Sequence, residues 1–384
     1  MQRLEASART VRVGRFQFID FARGIVMAIM AWDHISGFWN SYHGGGEGLM
    51  GNAPQFANFV WFLARFVSHY CAPTFVFLAG TVLAISTAKR LGRGESQWDV
   101  SRRMIIRGVL LLLFEAFVVA PAFGTSRYYF GVIACIGVCF IIFSVLRRLP
   151  QNVILALSIL IVLNHPYLRL DWIPDDTWWG WYARLIIHEP GRHPDFAPFT
   201  GLYPVIPWLG VMGVGWAFGL FLSELEASKV RELKAPLLRV GVASLLLWFA
   251  VRLANGYGNL LPRQGNSLME WLYVSKYPPS LAFLLWTLGG MCLFMALGLQ
   301  LQAWPNFGTG MTGFILALGR NPLFFYLTHL WLYRMRLPGT MRPFTLPLIP
   351  TLVFWAVGLF VLRELCVRYE AVKRRHPNSL LQYI

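Results

Sequence analysis

Phe18-Ile-Asp-Phe-Ala-Arg-Gly-Ile-Val-Met-Ala-Ile-Met-Ala-Trp-Asp-His-Ile-Ser-Gly-Phe38 is the stretch of sequence that decides the fold. Its length and apolar character are typical of a helix that crosses a membrane. Four ionisable residues interrupt it, namely Asp20, Arg23, Asp33 and His34. A charge in hydrocarbon is costly unless it is paired or faces a water-filled cavity. The stretch therefore predicts a membrane helix with a functional polar face.

The composition of the whole chain agrees with a membrane environment. Hydrophobic residues make up 56% of the sequence and charged residues only 14%, whereas soluble domains are about 25% charged. We therefore predict an all-α, polytopic helix bundle in which residues 1–384 form a single integral membrane domain.

Windows of about 20 apolar residues predict ten transmembrane helices. They lie near residues 18–38, 59–88, 104–123, 128–146, 152–168, 202–222, 237–255, 279–300, 313–333 and 345–363.

The distribution of basic residues orients these spans. With a cytoplasmic N-terminus, most of the 34 Lys and Arg residues lie on the inside, as the positive-inside rule requires. Both termini are then cytoplasmic, as a basic N-terminal segment 1–16 and a tail 364–384, and 167–201 is an extracytoplasmic loop. The loop 300–312 disagrees, because it should be inside but has no Lys or Arg. The formal charge of +16 is thus explained by the membrane, and we predict no nucleic-acid partner.

The predicted outer loop 167–201 contains five acidic residues and four tryptophans. Sugars stack on aromatic rings and their hydroxyls bond to carboxylates, so the loop suits sugar binding. An interfacial aromatic belt explains the cluster Trp178–Trp181 equally well.

Spacing along the first helix places its polar residues. Asp20 and Arg23 are three residues apart and can form an ion pair. Arg23 and His34 are eleven apart, on one face and separated by about 16 Å along the axis. Asp33 precedes His34 directly, so we expect it on another side of the helix, paired with a different span.

Two other spans contribute polar residues of the same kind. Arg65 and His69 are four residues apart in the second span, while Asn321 and His329 belong to the ninth. His34, His69 and His329 could converge in the outer half of the bundle. A histidine can act as a general base or carry an acyl group as a nucleophile.

Several blocks resemble the bacterial branch of the heparan-α-glucosaminide N-acetyltransferase family. They are Arg15 to His34, Ser68-His-Tyr-Cys-Ala-Pro-Thr-Phe-Val-Phe-Leu-Ala-Gly80, Lys276-Tyr-Pro-Pro-Ser-Leu281 and Gly319-Arg-Asn-Pro-Leu-Phe-Phe-Tyr-Leu-Thr-His329. The spacing of Arg23 and His34 is also similar to a motif of the wider transmembrane acyltransferase superfamily. The resemblance implies acetyl transfer from cytoplasmic acetyl-CoA to an amine or hydroxyl of a sugar or glycan outside.

We accordingly assign candidate roles to nine residues. His34, His69 and Asp33 are the catalytic candidates; Asp20, Arg23 and Arg65 are those for acetyl-CoA binding; His43, Asn321 and His329 are those for the acceptor. In the lysosomal member of the family, an asparagine matches His34 and the catalytic histidine follows in the next loop. His43 is the counterpart that this chain offers, so the principal histidine is His34 or His43, and we favour His34.

The predicted setting is a bacterial inner membrane, with membrane lipid, acetyl-CoA and a glycan acceptor as partners and a homodimer as the assembly considered. The five cysteines have no metal-ligand spacing, and no metal site is predicted.

Two alternative functions stay open. One is a proton-coupled transporter of a small or lipid-linked substrate, in which the intramembrane charges form a path. The other is a haem protein with two of the histidines as axial ligands.

Overall fold

A computed structural model describes residues 16–40, 42–45, 47–48, 56–168, 170–192, 200–335, 346–377 and 379–383. The predicted basic N-terminal segment lies outside the described residues, except for Phe16. Parts of the predicted outer loop 167–201, at positions 169 and 193–199, also lie outside them.

The described chain is mostly helical, as predicted. Its α-helices are α1 (Gln17–Trp39), α2 (Phe59–Phe66), α3 (Cys71–Leu91), α4 (Gln97–Phe114), α5 (Ala120–Phe123), α6 (Val132–Leu146), α7 (Gln151–Asn164), α8 (Trp178–Ile187), α9 (Val205–Glu224), α10 (Lys234–Ala254), α11 (Leu268–Leu272), α12 (Leu281–Leu301), α13 (Gly310–Arg320), α14 (Pro322–Tyr333) and α15 (Leu348–Arg375). Short 3-10 segments cover Val67–Tyr70, His165–Tyr167, Ala227–Leu233 and Leu380–Tyr383, and a π-helical turn covers Glu115–Val119.

Three two-residue strands form a small sheet in the order β1-β3-β2. They are β1 (Tyr129–Phe130), β2 (Gly191–Arg192) and β3 (Thr200–Gly201). β3 pairs parallel with β1 and antiparallel with β2. The sheet thereby joins the last third of the predicted outer loop to the segment that precedes α6.

Among the described residues, six helical stretches are long and apolar enough to cross a membrane. They are Phe59–Leu91, Gln97–Phe123, Val205–Glu224, Ala227–Ala254, Leu281–Leu301 and Leu348–Arg375. Val132–Leu146 and Gln151–Tyr167 are apolar but shorter. α1 has 23 residues, which is long enough for a span, although its charges make it less apolar. The chain is thus a helical membrane protein, and the count of ten spans stays a prediction.

The predicted ninth span is two helices instead of one. α13 ends at Arg320 and α14 begins at Pro322, with Asn321 between them in a non-helical conformation. Proline disfavours helical geometry in the residue before it and cannot donate a backbone hydrogen bond, so the helix breaks there. Interrupted helices of this kind occur in membrane proteins where the backbone lines a cavity or is buried in protein.

α1 lies in the middle of the bundle, in contact with α3, α12, α13, α14 and α15. Small residues allow the close approach to α13. A methyl group at Gly24 would overlap the backbone oxygen of Ile315, and one at Gly319 would overlap that of Asp20. Close helix contacts through small residues are typical of membrane bundles. Because of them, the break at Asn321 lies directly beside Asp20 and Arg23.

Gly319→Ala should destabilise the protein by about 1–3 kcal/mol or more, because the added methyl forces α1 and α13 apart in a packed core. The thermal unfolding temperature in detergent should fall. Gly265→Ala is the matched control, since a methyl there meets only the side chain of Glu270 at 3.8 Å. Equal unfolding temperatures for both variants would contradict the packing described.

Candidate active site: two cavities along the first helix

Two cavities lie along α1. The first, which we call the basic cavity, has a volume of about 510 Å³ and is bordered by five basic residues, Arg23, Lys89, Arg107, Arg320 and Lys373. The second, the histidine cavity, has a volume of about 480 Å³ and is bordered by His34, His43, Asp33, Arg65 and Lys276. Phe75, Val132 and Tyr326 border both cavities. These shared side chains therefore lie between a cationic compartment and a histidine-lined one.

The polar face predicted for α1 connects the two compartments. Asp20 and Arg23 border the basic cavity, and His34 borders the histidine cavity three turns further along. Arg23 Nη1 lies 3.2 Å from Asp20 Oδ1, which confirms the predicted ion pair. The same nitrogen donates to the backbone oxygen of Gly319 at 3.2 Å. This bond anchors Arg23 at the end of α13, beside the break.

His34 is directly hydrogen bonded to His329, with its Nδ1 2.6 Å from His329 Nε2. His329 Nδ1 lies 2.9 Å from the backbone oxygen of Phe325. A carbonyl oxygen can only accept, so His329 carries its proton on Nδ1 and its Nε2 has a lone pair. The proton in the bond between the two rings therefore belongs to His34 Nδ1.

The same reasoning assigns the other nitrogen of His34. A neutral imidazole protonated on Nδ1 has its lone pair on Nε2. Within the described part of the chain, His34 Nε2 has no hydrogen-bond partner, and it is not among the buried unpaired atoms. A basic nitrogen is thus accessible on a residue that borders the histidine cavity. This is the tautomer that a general base requires.

Arg65 holds two carboxylates in the wall of the histidine cavity. Its Nη1 lies 2.5 Å from Asp33 Oδ1, and its Nε and Nη2 donate to the two oxygens of Glu47 at 2.7 and 2.9 Å. The pairing of Asp33 with another span is therefore confirmed. Glu47 is 1% exposed, and His69 Nε2 lies 3.6 Å from its Oε1. These four residues form one buried network, which we call the Arg65 network.

Two ionisable residues of the loop after α1, His43 and Glu47, differ in charge. Burial by itself would raise the pKa of Glu47, but the Arg65 guanidinium and the contact with His69 hold that pKa well below its usual range. Burial lowers the pKa of His43 and outweighs the nearby carboxylate of Asp33. At neutral pH, Glu47 is ionised and His43 is neutral, with His43 Nδ1 3.0 Å from Ser36 Oγ.

A comparison with protein families identifies the chain. The family model named heparan-alpha-glucosaminide N-acetyltransferase, catalytic, matches residues 15–253, which is more than half of the sequence. The chain belongs to this family. Membership makes it a membrane acetyltransferase in class. No individually curated protein matches the chain.

The matched range of the N-acetyltransferase family covers α1, the loop with His43 and Glu47, and Arg65 with His69. It ends before Lys276, Asn321 and His329. The structure nevertheless brings Lys276 to the same cavity as His34 and places His329 against His34. The described site therefore draws on residues well beyond the matched range.

The structure distributes the nine predicted site residues differently from the sequence-based grouping. Arg65 borders the histidine cavity, not the basic cavity with Arg23. Asn321 borders the basic cavity, and its Nδ2 donates to the backbone oxygen of Cys366 at 3.4 Å. His69 is 1% exposed and borders neither cavity. Of the three histidines expected to converge, His34 and His329 meet directly, and His69 lies behind Glu47.

Sequence reasoning missed two residues of this candidate site, Glu47 and Lys276. Glu47 is the only acidic residue of its glycine-rich loop, and this isolation was the one available signal. Lys276 belongs to the block Lys276 to Leu281 that carried part of the resemblance, but nothing in that block indicated a cavity.

The predicted sugar-binding loop is arranged around an arginine. Arg184 lies 3.0 Å from Glu189, 3.4 Å from Asp175 and 4.0 Å from Asp171. Trp178 and Trp179 at the start of α8 are about half exposed. Both of the original interpretations, a sugar site and an interfacial belt, stay open for these rings.

Proposed function

We propose that the protein transfers an acetyl group from acetyl-CoA to an amine or hydroxyl of a sugar or glycan on the opposite side of the membrane. The observation that carries the proposal is the pair of cavities that share Phe75, Val132 and Tyr326. One cavity suits an anionic donor, and the other offers an accessible histidine base. The setting that we propose is a bacterial inner membrane, with the basic cavity on the cytoplasmic side.

The basic cavity suits the phosphates of acetyl-CoA. Guanidinium and ammonium groups bind phosphate oxygens through charge-assisted hydrogen bonds. Arg107 and Lys89 approach this cavity from α4 and α3, and Arg23 from α1. We propose that the nucleotide end of the donor binds among these cations and that its thioester arm passes the shared side chains towards His34.

In the transfer step, His34 Nε2 takes the proton from the acceptor amine or hydroxyl as that atom attacks the thioester carbonyl carbon. The carbon–sulfur bond then breaks, and the departing sulfur takes the proton from His34. The backbone oxygen of Phe325 fixes the tautomer of His329, which in turn orients His34. An acetyl-histidine on the same Nε2 is the alternative path and would use the same lone pair.

We propose that the Arg65 network positions the loop that closes the histidine cavity. Arg65 and His69 come from the helical stretch Phe59–Leu91, and Glu47 comes from the loop after α1. The guanidinium ties the loop to Asp33, directly beside His34. On this proposal, His69 and Arg65 act through Glu47 and Asp33 and do not contact the substrate.

Arg23→Ala should weaken acetyl-CoA binding about tenfold or more, the effect expected for a lost charge-assisted hydrogen bond. Titration calorimetry on the purified protein in detergent measures the Kd. Arg93→Ala is the matched control, because Arg93 is exposed and does not border the cavity. An unchanged affinity in Arg23→Ala would overturn the donor site.

Mass spectrometry of cell-envelope glycans with and without the protein tests the acceptor. Acetylated glycans that appear only with the active protein would identify the acceptor class. A protein that neither binds acetyl-CoA nor changes any glycan would overturn the proposed function and favour the transporter alternative.

A further inference from the structure

Lys276 lies in a non-helical segment that is buried in the protein. The segment between α11 and α12 includes Ser275, Lys276 and Ser280, each 3% exposed or less. The Lys276 backbone N–H donates to the backbone oxygen of Glu47 at 2.8 Å. His165 Nε2 lies 3.0 Å from the Pro279 oxygen, to which it donates. The segment that contains Lys276 is therefore anchored at Lys276 and at Pro279.

Lys276 borders the histidine cavity, although the residue is only 3% exposed. Its Nζ lies 5.2 Å from the centre of the Tyr277 ring. Within the described ranges, Nζ makes no hydrogen bond and has no carboxylate oxygen within 4 Å, and it is not among the buried unpaired atoms. The N–H donors of the ammonium are therefore unused, on a residue that borders the cavity.

Lys276 differs from Arg65 in having hydrogen-bond donors that a ligand can use. Arg65 is occupied by Asp33 and Glu47, so its donors are committed to the protein. Those two carboxylates and one guanidinium leave a net negative charge, which favours a second cation nearby. Lys276 supplies this second positive charge without a direct ion pair to either carboxylate. An ammonium in a poorly hydrated site is costly until its donors find an acceptor.

We propose that Lys276 Nζ donates a hydrogen bond to the carbonyl oxygen of the acetyl thioester. This inference rests on the proposed function, because it requires the thioester to reach the histidine cavity. When the acceptor attacks the carbonyl carbon, the carbonyl electron pair moves to oxygen and Lys276 stabilises the resulting negative charge. The carbonyl re-forms as the carbon–sulfur bond breaks, so Lys276 keeps its own proton throughout.

Infrared difference spectroscopy with acetyl-CoA labelled with ¹³C at the carbonyl tests this role without an acceptor. A carbonyl that accepts a hydrogen bond from an ammonium is polarised, so its stretching band should move to lower frequency on binding. The shift should disappear in Lys276→Met and return in part in Lys276→Arg. With an identified acceptor, Lys276→Met should lower kcat about 10² to 10³-fold, as for a lost oxyanion donor, with little change in the KM for acetyl-CoA.

Lys89→Met is the matched control, because it removes a lysine of the basic cavity. It should weaken donor binding yet leave the band of bound acetyl-CoA at the wild-type frequency. If Lys276→Met does not fold, Lys276→Gln keeps a neutral donor and should give a smaller shift than wild type. A shift that is absent in wild type, or that keeps its wild-type size in Lys276→Met or in Lys276→Gln, would overturn the role of Lys276. Failure of wild type to bind acetyl-CoA at all would instead overturn the proposed function.

Discussion

Replacing His34 with asparagine should abolish acetyl transfer while the protein still folds and binds acetyl-CoA. The asparagine amide can still donate to His329 Nε2, as His34 Nδ1 does at 2.6 Å, so the packing of α1 against α14 is kept. What is lost is Nε2, the accessible basic nitrogen. Loss of a general base lowers rates by about 10² to 10⁴, and loss of an acetyl-carrying nucleophile would also stop transfer.

The measurement is transfer of labelled acetyl groups to envelope glycans, together with the Kd for acetyl-CoA and the unfolding temperature. His376→Asn serves as the matched control, because His376 is exposed on the tail beyond α15. His329→Gln should lower transfer less, since its amide oxygen can accept the bond from His34. Full acetyl transfer in His34→Asn, combined with loss of transfer in His43→Asn, would show that His43 and not His34 is the general base.

Arg65→Met should destabilise the protein more than any other single change in the site. It leaves Asp33 and Glu47 buried without their cation, with side chains only 13% and 1% exposed. Breaking a buried ion pair by removing one partner costs about 3–5 kcal/mol. The unfolding temperature in detergent should fall sharply, or the protein should fail to accumulate.

A rescue variant separates the buried charge from lost packing. Arg65→Met combined with Asp33→Asn and Glu47→Gln removes both uncompensated charges and should recover much of the stability. Arg90→Met is the matched control, because the Arg90–Glu95 pair at 2.8 Å has side chains 25% and 33% exposed; such pairs contribute about 0–1 kcal/mol. Equal falls in unfolding temperature in Arg65→Met and Arg90→Met would refute a structural role for the Arg65 network.

Sequence reasoning reached much of the fold because apolar segments of membrane length are recognisable one at a time. Most predicted spans overlap a helix of the structure. The break at Asn321 was not predicted, although Pro322 was its signal, since a proline inside an apolar stretch bends some helices and interrupts others.

Within the site, contacts at short sequence separation were easier to predict than distant ones. The pair of Asp20 and Arg23 follows from helix geometry and is confirmed at 3.2 Å. The partners of Asp33 and His34 come from elsewhere in the chain, at Arg65 and His329. Local periodicity does not encode which side chains from distant segments will meet. For the same reason, the predicted grouping of Arg65 with Arg23 in one binding site differed from the structure.

The stretch from Phe18 to Phe38 by itself determined that a polar face runs along a membrane helix, because the helical repeat places Arg23 and His34 on one side whatever surrounds them. Tertiary structure decided what that face does. It placed four further basic residues around the cavity that Arg23 borders, and it placed His329 where it fixes the tautomer of His34. It also brought Lys276 to the cavity of His34 from a loop more than two hundred residues away. Cavities and tautomers depend on packing between distant segments, and no local pattern of residues specifies that packing.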